Sequence, residues 1–348
     1  MRANRLETPA AVVDLDVLEA NIKKLQSYLD GHGIANRPHI KTHKIPAIAK
    51  MQMDVGAAGI TCQKISEAEV MADAGFDDIF LPYNIIGETK LARLMALARR
   101  ITLSVTADSG IVIRGLSEAA QRESLTLTVL VECDTGMGRC GVQSPRQAAD
   151  LAREITHLPG LHFGGLMTYP SCERLDPFVE ETQLLLSGMP IEKVSGGGTA
   201  CMWQAHTHPM LTEHRAGMYI YGDRICLRSG SMTLEDCALR VHTTIVSRPT
   251  AERGIIDAGS KTLSSDLPVR MKGYGLICEY PGAKIYGLSE EHGHVDFSAC
   301  AHKPEIGERL TIIPNHCCSV SNLFNQVTGA RNGEVEVTWP VTARGMIL

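Results

Sequence analysis

The sequence lacks the features that mark membrane, secreted and nucleic-acid-binding proteins. No run of about 18 or more apolar residues occurs, so no membrane span is expected. Met1–Glu7 contains two arginines but no apolar segment follows them, which argues against a signal peptide and favours the cytoplasm. The formal net charge of −5 gives no reason to expect a nucleic-acid partner.

A disulfide framework is also missing, although the 348-residue chain has 11 cysteines. The cysteines are scattered, and several, such as Cys133, Cys226 and Cys278, lie inside apolar runs. Without a secretory signal, most of these thiols are expected to be buried and reduced. The adjacent Cys317 and Cys318 are treated separately below.

Short apolar runs rich in β-branched residues alternate with helix-like segments over the first two thirds of the chain. Eight runs occur: Arg37–Thr42, Gly59–Gln63, Asp78–Tyr83, Thr102–Thr106, Leu127–Cys133, Phe163–Tyr169, Glu192–Ser195 and His214–Ile220. Apolar residues at helical spacing lie between them, and Ser144-Pro145 is typical of a helix start. This alternation predicts an α/β fold, a (β/α)8 TIM-type barrel over residues 16–240.

Near Val241 the alternation of strand-like and helix-like segments ends, and short strand-like runs separated by turns replace it. They are Val241–Val246, Gly254–Asp257, Tyr274–Glu279, His294–Phe297, Arg309–Ile313 and Glu334–Thr338. The pattern predicts a mostly antiparallel β domain over residues 241–348, which the early strand Thr8–Leu15 joins through residues 1–15.

The active site of a barrel lies at the C-terminal ends of its strands, and Lys41 comes near the end of the first predicted strand. Partial desolvation there would lower the pKa of the lysine and free its amine for a Schiff base. Strand alternation predicts that His39, Lys41 and His43 share one face and that Lys44 lies on the other. The alternative is an ordinary surface lysine with its head in water.

Two glycine-containing segments follow later strands. Ser195–Thr199 includes three glycines, which let backbone N–H groups approach an anion, at a barrel position that often binds phosphate. Arg139 lies in the polar run after the fifth strand and can pair with a phenolate or carboxylate. Taken alone, a glycine triplet is more often a flexible turn, and the arginine segment is equally compatible with a solvated arginine in a structural turn.

His316 and Cys318 form a metal-type pair in the segment that follows Pro314. In an extended chain, residues i and i+2 face the same side, so one imidazole and one thiolate can bind a single zinc ion. Two protein ligands leave positions open, as a catalytic site requires. The alternative is a buried histidine beside two small apolar cysteines.

As a set, these segments resemble the D-threonine aldolase and D-serine dehydratase family, fold type III pyridoxal-phosphate enzymes related in their barrel to alanine racemase. The segments that carry the resemblance are RPHIKTHK (37–44), GITCQKISEA (59–68), DTGMGRCGV (134–142), GGGT (196–199) and PNHCC (314–318). They occur in the same order over nearly the whole chain.

The resemblance implies a role for each matching residue. Lys41 is similar to the lysine that holds pyridoxal phosphate. Gly197, Gly198 and Thr199 are similar to residues that contact the phosphate of the cofactor, with Gly217 and Tyr219 beside them. Arg139 is similar to the arginine near the phenolic oxygen, and Arg215 to the arginine at the pyridine nitrogen. Tyr169 is a further implied cofactor contact. His316 and Cys318 are similar to the pair that binds a divalent metal, which is zinc, manganese or magnesium.

The activity implied first is retro-aldol cleavage of a D-3-hydroxy amino acid to glycine and an aldehyde. The alternative is dehydration of D-serine or D-3-hydroxyaspartate to a keto acid and ammonia. The His316 and Cys318 pair looks more like the dehydratases, whereas the stretch 62–64 and the glycine run lean to the aldolases. Lys41 is the expected α-proton base, and His39 and His292 are candidates for the hydroxyl proton.

Two further activities, racemisation and non-catalytic binding of pyridoxal phosphate, are less favoured, and a homodimer is the expected assembly. Racemisation would need a second base, for which Tyr274 is the candidate. That reaction does not require the metal that His316 and Cys318 are expected to bind. A non-catalytic pyridoxal-phosphate carrier would lack the region after the barrel. The resemblance also implies a homodimer.

Overall fold

The structure, a computed structural model, describes residues 1–348. Its strands are β1 (Ala10–Asp14), β2 (Ala35–Asn36), β3 (Ile60–Thr61), β4 (Asp78–Asn84), β5 (Thr102–Ala107), β6 (Leu127–Cys133), β7 (Leu161–Thr168), β8 (Lys193–Gly197), β9 (Glu213–Arg215), β10 (Leu239–Ser247), β11 (Arg253–Ile256), β12 (Leu276–Ile277), β13 (Lys284–Leu288), β14 (Gly293–Asp296), β15 (Arg309–Ile313), β16 (Gln326–Arg331) and β17 (Glu334–Pro340). Its helices are α1 (Leu15–Asp30), α2 (Pro46–Asp54), α3 (Ile65–Asp73), α4 (Glu88–Ala98), α5 (Gly110–Arg122), α6 (Pro145–His157), α7 (Leu175–Leu186), α8 (Arg224–Ser229), α9 (Ser260–Leu263) and α10 (Cys317–Leu323). Short 3₁₀ segments span Ala3–Arg5, Ile40–Thr42, Thr199–Thr207 and Met218–Ile220.

The chain divides into two compact units. The barrel unit comprises Lys24–Lys41, Ile48–Gly217 and Met346–Leu348, and the β unit comprises Met1–Lys23, Thr42–Ala47 and Met218–Gly345. The predicted boundary at residue 240 assigns residues 218–240 to the barrel, whereas the structure groups them with the β unit. Lys41 and Thr42, adjacent in the chain, fall in different units.

Eight parallel strands form the barrel unit, in the order β2-β9-β8-β7-β6-β5-β4-β3. A parallel bridge between His39 and Thr61 links the two ends of this order, so the sheet curls round on itself. Phe80, Leu130 and Met167, from β4, β6 and β7, pack together as one buried cluster, as side chains inside a barrel do. The predicted fold class is confirmed.

The helices around the sheet follow ordinary sequence signals. In α6 the apolar positions Ala148, Ala149, Ala152 and Ile155 are buried, at the spacing of one helix face. The Ser144 hydroxyl accepts a hydrogen bond from the backbone N–H of Gln147, and Pro145 occupies the first turn. The predicted start of this helix is therefore correct.

The first and last barrel strands end earlier than predicted. β2 covers Ala35–Asn36 and shares no residue with the predicted strand Arg37–Thr42; it ends two residues before Pro38, which has no N–H to donate to a ladder. Lys41 therefore lies in a 3₁₀ turn instead of at a strand end, and the predicted alternation of faces is wrong. His43 and Lys44 are both buried, the latter with a φ of 57°. β9 likewise ends at Arg215.

The β unit contains a nine-stranded sheet in which every pairing except β1 with β16 is antiparallel. The prediction of a mostly antiparallel sheet that Thr8–Leu15 joins is correct, since β1 pairs with β10. β13 and β16 were not predicted. His316 itself is extended, but the predicted extended segment does not continue to Cys318, because residues 317–323 form α10, whose first N–H is bound by the distant Asp223 carboxylate at 2.9 Å.

Across the structure, helices either fall short of the bilayer's thickness or carry too many polar residues to traverse it.

Candidate active site

Lys41 projects its amine toward a glutamine that also binds His39. The Nζ atom lies 3.4 Å from Gln63 Oε1, and His39 Nε2 lies 3.0 Å from the same oxygen. Gln63 follows β3, and its backbone N–H donates to Glu67 in the first turn of α3 at 2.6 Å. Lys41 is half-buried. The lysine head is thus held by protein groups, unlike that of a surface lysine.

His39 is buried in this cluster with only 7% of its surface exposed. Burial, followed by the charges of Lys41 and Arg215, lowers the pKa of His39 well below its usual value. The imidazole therefore stays neutral near pH 7 and is a weak base. This environment suits a hydrogen-bonding role beside Gln63 better than the predicted transfer of a hydroxyl proton.

The glycine run after β8 leaves room for an anion. Gly198 has a φ of 121°, in the region that favours glycine, and a Cβ there would lie 3.4 Å from the Tyr169 ring. The side-chain oxygens of Thr199 and Ser171 are buried and have no hydrogen-bond partner. Buried hydroxyls are almost always satisfied, so these two fit a polar group that the protein itself does not supply. A glycine-rich turn with two such donors fits a phosphate.

Arg215 is buried and oriented by the neighbouring strands. Its Nε donates to Ser195 Oγ and its Nη2 to the Thr168 carbonyl, both at 2.8 Å, and its guanidinium lies 5.5 Å from the centre of the Phe80 ring. Nη1 makes none of these contacts and remains the donor for another acceptor. Burial lowers the pKa of Arg215 to about 10, so the side chain is still charged near pH 7.

Arg139 stands at the end of a turn built by Asp134. The Asp134 carboxylate accepts hydrogen bonds from the backbone N–H groups of Gly136 and Gly138, at 2.9 and 3.0 Å. These bonds hold the pKa of Asp134 below its usual value. The Arg139 guanidinium lies 5.3 Å from the centre of the Tyr169 ring, so the turn is structural and also directs the arginine to that tyrosine.

In the β unit, His316 caps the start of α10 and Cys318 lies in its first turn. Burial alone would lower the pKa of His316, but a hydrogen bond to Cys318 and one to Asp266 raise it to about 10. The pKa of Cys318 is held well below its usual value by a hydrogen bond from Cys317 and by His316. Thr42 Oγ1, the hydroxyl of the residue that follows Lys41, is 3.2 Å from Cys318 Sγ.

This pair satisfies the donor requirements of a metal site, although not through the extended geometry that the sequence suggested. A thiolate next to an imidazole is a donor set that zinc prefers. No group of three or more His, Cys, Asp or Glu side chains is arranged to hold a metal ion. A metal held by His316 and Cys318 would therefore keep open positions.

The comparisons with known proteins match both regions of the chain to enzyme families. Residues 13–225 match the family model described as alanine racemase, N-terminal domain, and residues 238–330 match that of a putative serine dehydratase domain. The chain is 34% identical to a D-threonine aldolase of an Arthrobacter species, over 98% of this chain and 93% of the relative. The chain belongs to the D-threonine aldolase and D-serine dehydratase family.

Members of this family with either activity are similar to this chain. A D-threo-3-hydroxyaspartate dehydratase of Delftia sp. is 32% identical, over 96% of this chain and 97% of the relative. The crystal structure of D-threonine aldolase from Filomicrobium marinum superposes with a TM-score of 0.92 at 32% identity, covering 100% of this chain and 98% of that one. The protein is accordingly a pyridoxal-phosphate lyase.

Some residues of the site were missed in the sequence. Glu132 on β6 is 6% exposed, and burial, followed by the charge of Asp108, raises its pKa to about 6 against the opposing charges of Arg139 and Arg215. An acidic residue inside the apolar run Leu127–Cys133 was the signal that could have revealed it. Gln63 lies in the segment 59–68 that carries the resemblance, although no role was predicted for it. Ser171 and Asp266 lie in no pattern that points to a site.

Three predicted residues lie apart from the contacts described above. His292 is exposed in the turn between β13 and β14 and makes no hydrogen bond with His316 or Cys318. Tyr219 is buried in the 3₁₀ segment Met218–Ile220, within the β unit. Tyr274 is half-buried, with its backbone N–H bonded to the Ile285 carbonyl. Their functional roles stay predictions.

Proposed function

We propose that this lyase cleaves D-3-hydroxy amino acids between Cα and Cβ, giving glycine and an aldehyde, with a divalent metal as second cofactor. The observation that carries the proposal is that the start of α10 brings together the His316 imidazole and the Cys318 thiol, a pair of metal-type side chains that a racemase or a non-catalytic carrier does not need. The 34% identity to a D-threonine aldolase along nearly the whole chain supports the aldolase reaction.

In this proposal Lys41 binds the cofactor covalently, and the turn after β8 holds its phosphate. Gly197, Gly198 and Thr199 form the turn, in which the Gly198 N–H already donates to the Arg215 carbonyl at 3.1 Å, and the buried Thr199 and Ser171 hydroxyls are the donors for the anion. Gly217 and Tyr219 are assigned to the cofactor on the resemblance alone. Pyridoxal phosphate, when bound, supplies the electron sink for bond cleavage at the α-carbon.

The two arginines and Tyr169 orient the ring of the cofactor. Arg215 donates from Nη1 to the ring nitrogen and, because a guanidinium has no acceptor, keeps that nitrogen unprotonated. Arg139, which lies over Tyr169, neutralises the phenolic oxygen. Glu132 balances the charge of both arginines from within β6.

His316 and Cys318 hold the metal, which we assign as zinc because thiolate is a soft ligand; manganese and magnesium are the other candidates. A metal held there would supply Lewis-acid chemistry to the substrate hydroxyl. The Lys41 amine lies within hydrogen-bonding reach of Gln63 Oε1, which positions it as a base for an α-proton, the role that the dehydratase alternative requires. The candidate bases for the hydroxyl proton are His292 and His39, of which His39 is the weaker because its pKa is lowered.

A dehydratase is the second candidate, because the histidine and cysteine pair resembles that of D-serine dehydratases. The Delftia relative, similar over 96% of this chain, has that activity. In this reaction the Lys41 amine removes the α-proton, and the metal pair assists departure of the β-hydroxyl.

The products separate the two reactions. Purified enzyme is incubated with D-threonine, D-serine and D-threo-3-hydroxyaspartate, with and without a chelator. Glycine and an aldehyde, lost on chelation, support the aldolase; a keto acid and ammonia support the dehydratase. Substrate that is only racemised, at a rate that chelation does not change, contradicts both. Cys318→Asp is the informative variant, since aldolases of this family tend to carry aspartate at that position.

We also propose a homodimer located in the cytoplasm, the assembly and compartment expected from the resemblance and the sequence. Light scattering during size-exclusion chromatography should give twice the chain mass of 37.8 kDa. A monomer mass would contradict the assembly.

A further inference from the structure

We propose that Asp266 is a positioning residue that orients His316 for metal binding; the inference rests on the proposed metal site. Asp266 Oδ2 lies 2.6 Å from His316 Nδ1. The hydroxyl of Ser319, one turn into α10, donates to the same carboxylate oxygen at 3.2 Å. The carboxylate is therefore shared between the imidazole and the helix that carries Cys318.

The contact decides which ring nitrogen is available. A carboxylate accepts a hydrogen bond, so Nδ1 donates its proton to Asp266, and Nε2 is the nitrogen that gives up its proton when a metal binds. Nε2 is then the atom that binds the metal. Metal-binding histidines almost always donate their other ring N–H to a carboxylate or carbonyl, which fixes the ring and raises its basicity as a ligand.

Asp266 is itself held in place by the residue next to its partner. Asn315 donates from Nδ2 to the Asp266 carbonyl at 3.3 Å and to the Gly273 carbonyl at 2.9 Å. The backbone N–H of Asp266 donates to Ser264 Oγ at 3.1 Å. Two consecutive residues, Asn315 and His316, thus bind the main chain and the side chain of one aspartate, so the contact is a built feature of the β unit.

An ordinary surface ion pair is the competing interpretation. The side chains of His316 and Asp266 are 29% and 41% exposed, and pairs of that exposure add little to stability. The two interpretations differ in what removing the carboxylate does. A surface pair predicts no change in metal affinity, whereas an orienting carboxylate predicts a loss of roughly 10- to 100-fold with little change in unfolding temperature.

The test measures Zn²⁺ affinity of metal-stripped full-length enzyme by competition with a chelating dye. Wild type is compared with Asp266→Asn, Asp266→Ala and the control Asp16→Asn, which removes an exposed carboxylate paired with Arg331 in the same unit. We expect both Asp266 variants to lose roughly 10- to 100-fold in affinity and the control to match wild type. Asp266 variants that bind Zn²⁺ as tightly as the control overturn the proposal.

Absorption spectra of the Co²⁺-loaded proteins separate orientation from direct ligation. The thiolate-to-metal band and the coordination pattern of Asp266→Asn should match wild type once the site is saturated. A changed coordination number would overturn the proposal, because Asp266 would then be a ligand. Wild-type protein that binds no Zn²⁺ would overturn the metal site of the proposed function and this inference with it, whereas an unaffected Asp266→Asn overturns the inference alone.

Discussion

The barrel unit and the β unit hold their functional side chains in different ways. In the barrel unit, Arg215 is buried and fixed by Ser195 and a backbone carbonyl. In the β unit, His316 is partly exposed and fixed by one partly exposed carboxylate. Buried, fully bonded groups are preorganised, whereas exposed pairs are readily altered. The comparison suggests that the barrel unit sets the cofactor chemistry and that the β unit tunes which reaction follows.

The largest expected effect is in the barrel unit, where Lys41→Ala should abolish the visible absorption of the bound cofactor. Lyase activity should fall by roughly 10³-fold or more, because the covalent attachment point and the base are lost together. Absorption spectra and product assays measure both. Lys50→Ala, which removes an exposed lysine paired with Asp54, is the control and should leave both unchanged. A Lys41→Ala enzyme that keeps its visible band would contradict the assignment.

The second prediction tests whether the metal can be lost from the β unit while the barrel unit keeps its cofactor. Cys318→Ala should remove the bound metal and lower activity by roughly 10²-fold or more, since Lewis-acid assistance is worth several kcal/mol. The cofactor band should persist, because no residue of the barrel unit has changed. Metal analysis, spectra and rates are the readouts, and Cys300→Ala, at a half-buried cysteine of the same unit, is the control. Loss of the cofactor band together with the metal would show that the two sites are not separable.

A third change tests how strongly the barrel unit depends on buried charge. Glu213, 2% exposed at the start of β9, accepts Arg37 Nε at 2.7 Å. Glu213→Gln should lower the free energy of unfolding by about 1.5–3 kcal/mol, because the buried arginine loses one charged acceptor and keeps only the Asp78 carboxylate. Glu290→Gln, at an exposed pair with Lys261 in the β unit, should leave denaturant unfolding unchanged. Similar results for the two variants would remove the contrast between the units.

The smallest effect concerns the pH dependence of stability. Burial raises the pKa of Glu132 from 4.5 to about 6, so the folded protein binds this proton more tightly than the unfolded chain. The stability is complete below about pH 4.5 and declines by about 2 kcal/mol as the pH rises through 6. Glu132→Gln should therefore be more stable than wild type at pH 8, with a gap that closes toward pH 4. A gap of the opposite sign in urea titrations would contradict this.

The sequence predicted the central barrel strands well because they are buried on both faces. β6 has the predicted bounds, and β4 and β5 each extend one residue further. The first barrel strand was predicted too late in the chain and the last one too long, since the apolar runs lie beyond Asn36 and Arg215, where the backbone turns away. A run of apolar residues indicates that a segment is buried, but it does not show whether the buried backbone is a strand or a turn.

The motif residues of the site were predictable, but the groups that orient them were not. Lys41, Arg139 and the glycine run each carry a recognisable local pattern. Asp266 lies 50 residues from His316 in the chain and is joined to it only by tertiary contact. The helical conformation of Cys318 likewise depends on Asp223, a distant residue that binds the first N–H of α10.

One measurement tests the central claim most directly. The enzyme is reduced with borohydride, which makes the link between cofactor and lysine permanent, then digested and mapped by mass spectrometry. The account predicts a single pyridoxyl-phosphate adduct, carried by Lys41. An adduct on Lys44 or another lysine, or no adduct in protein that shows the visible cofactor band, would contradict it.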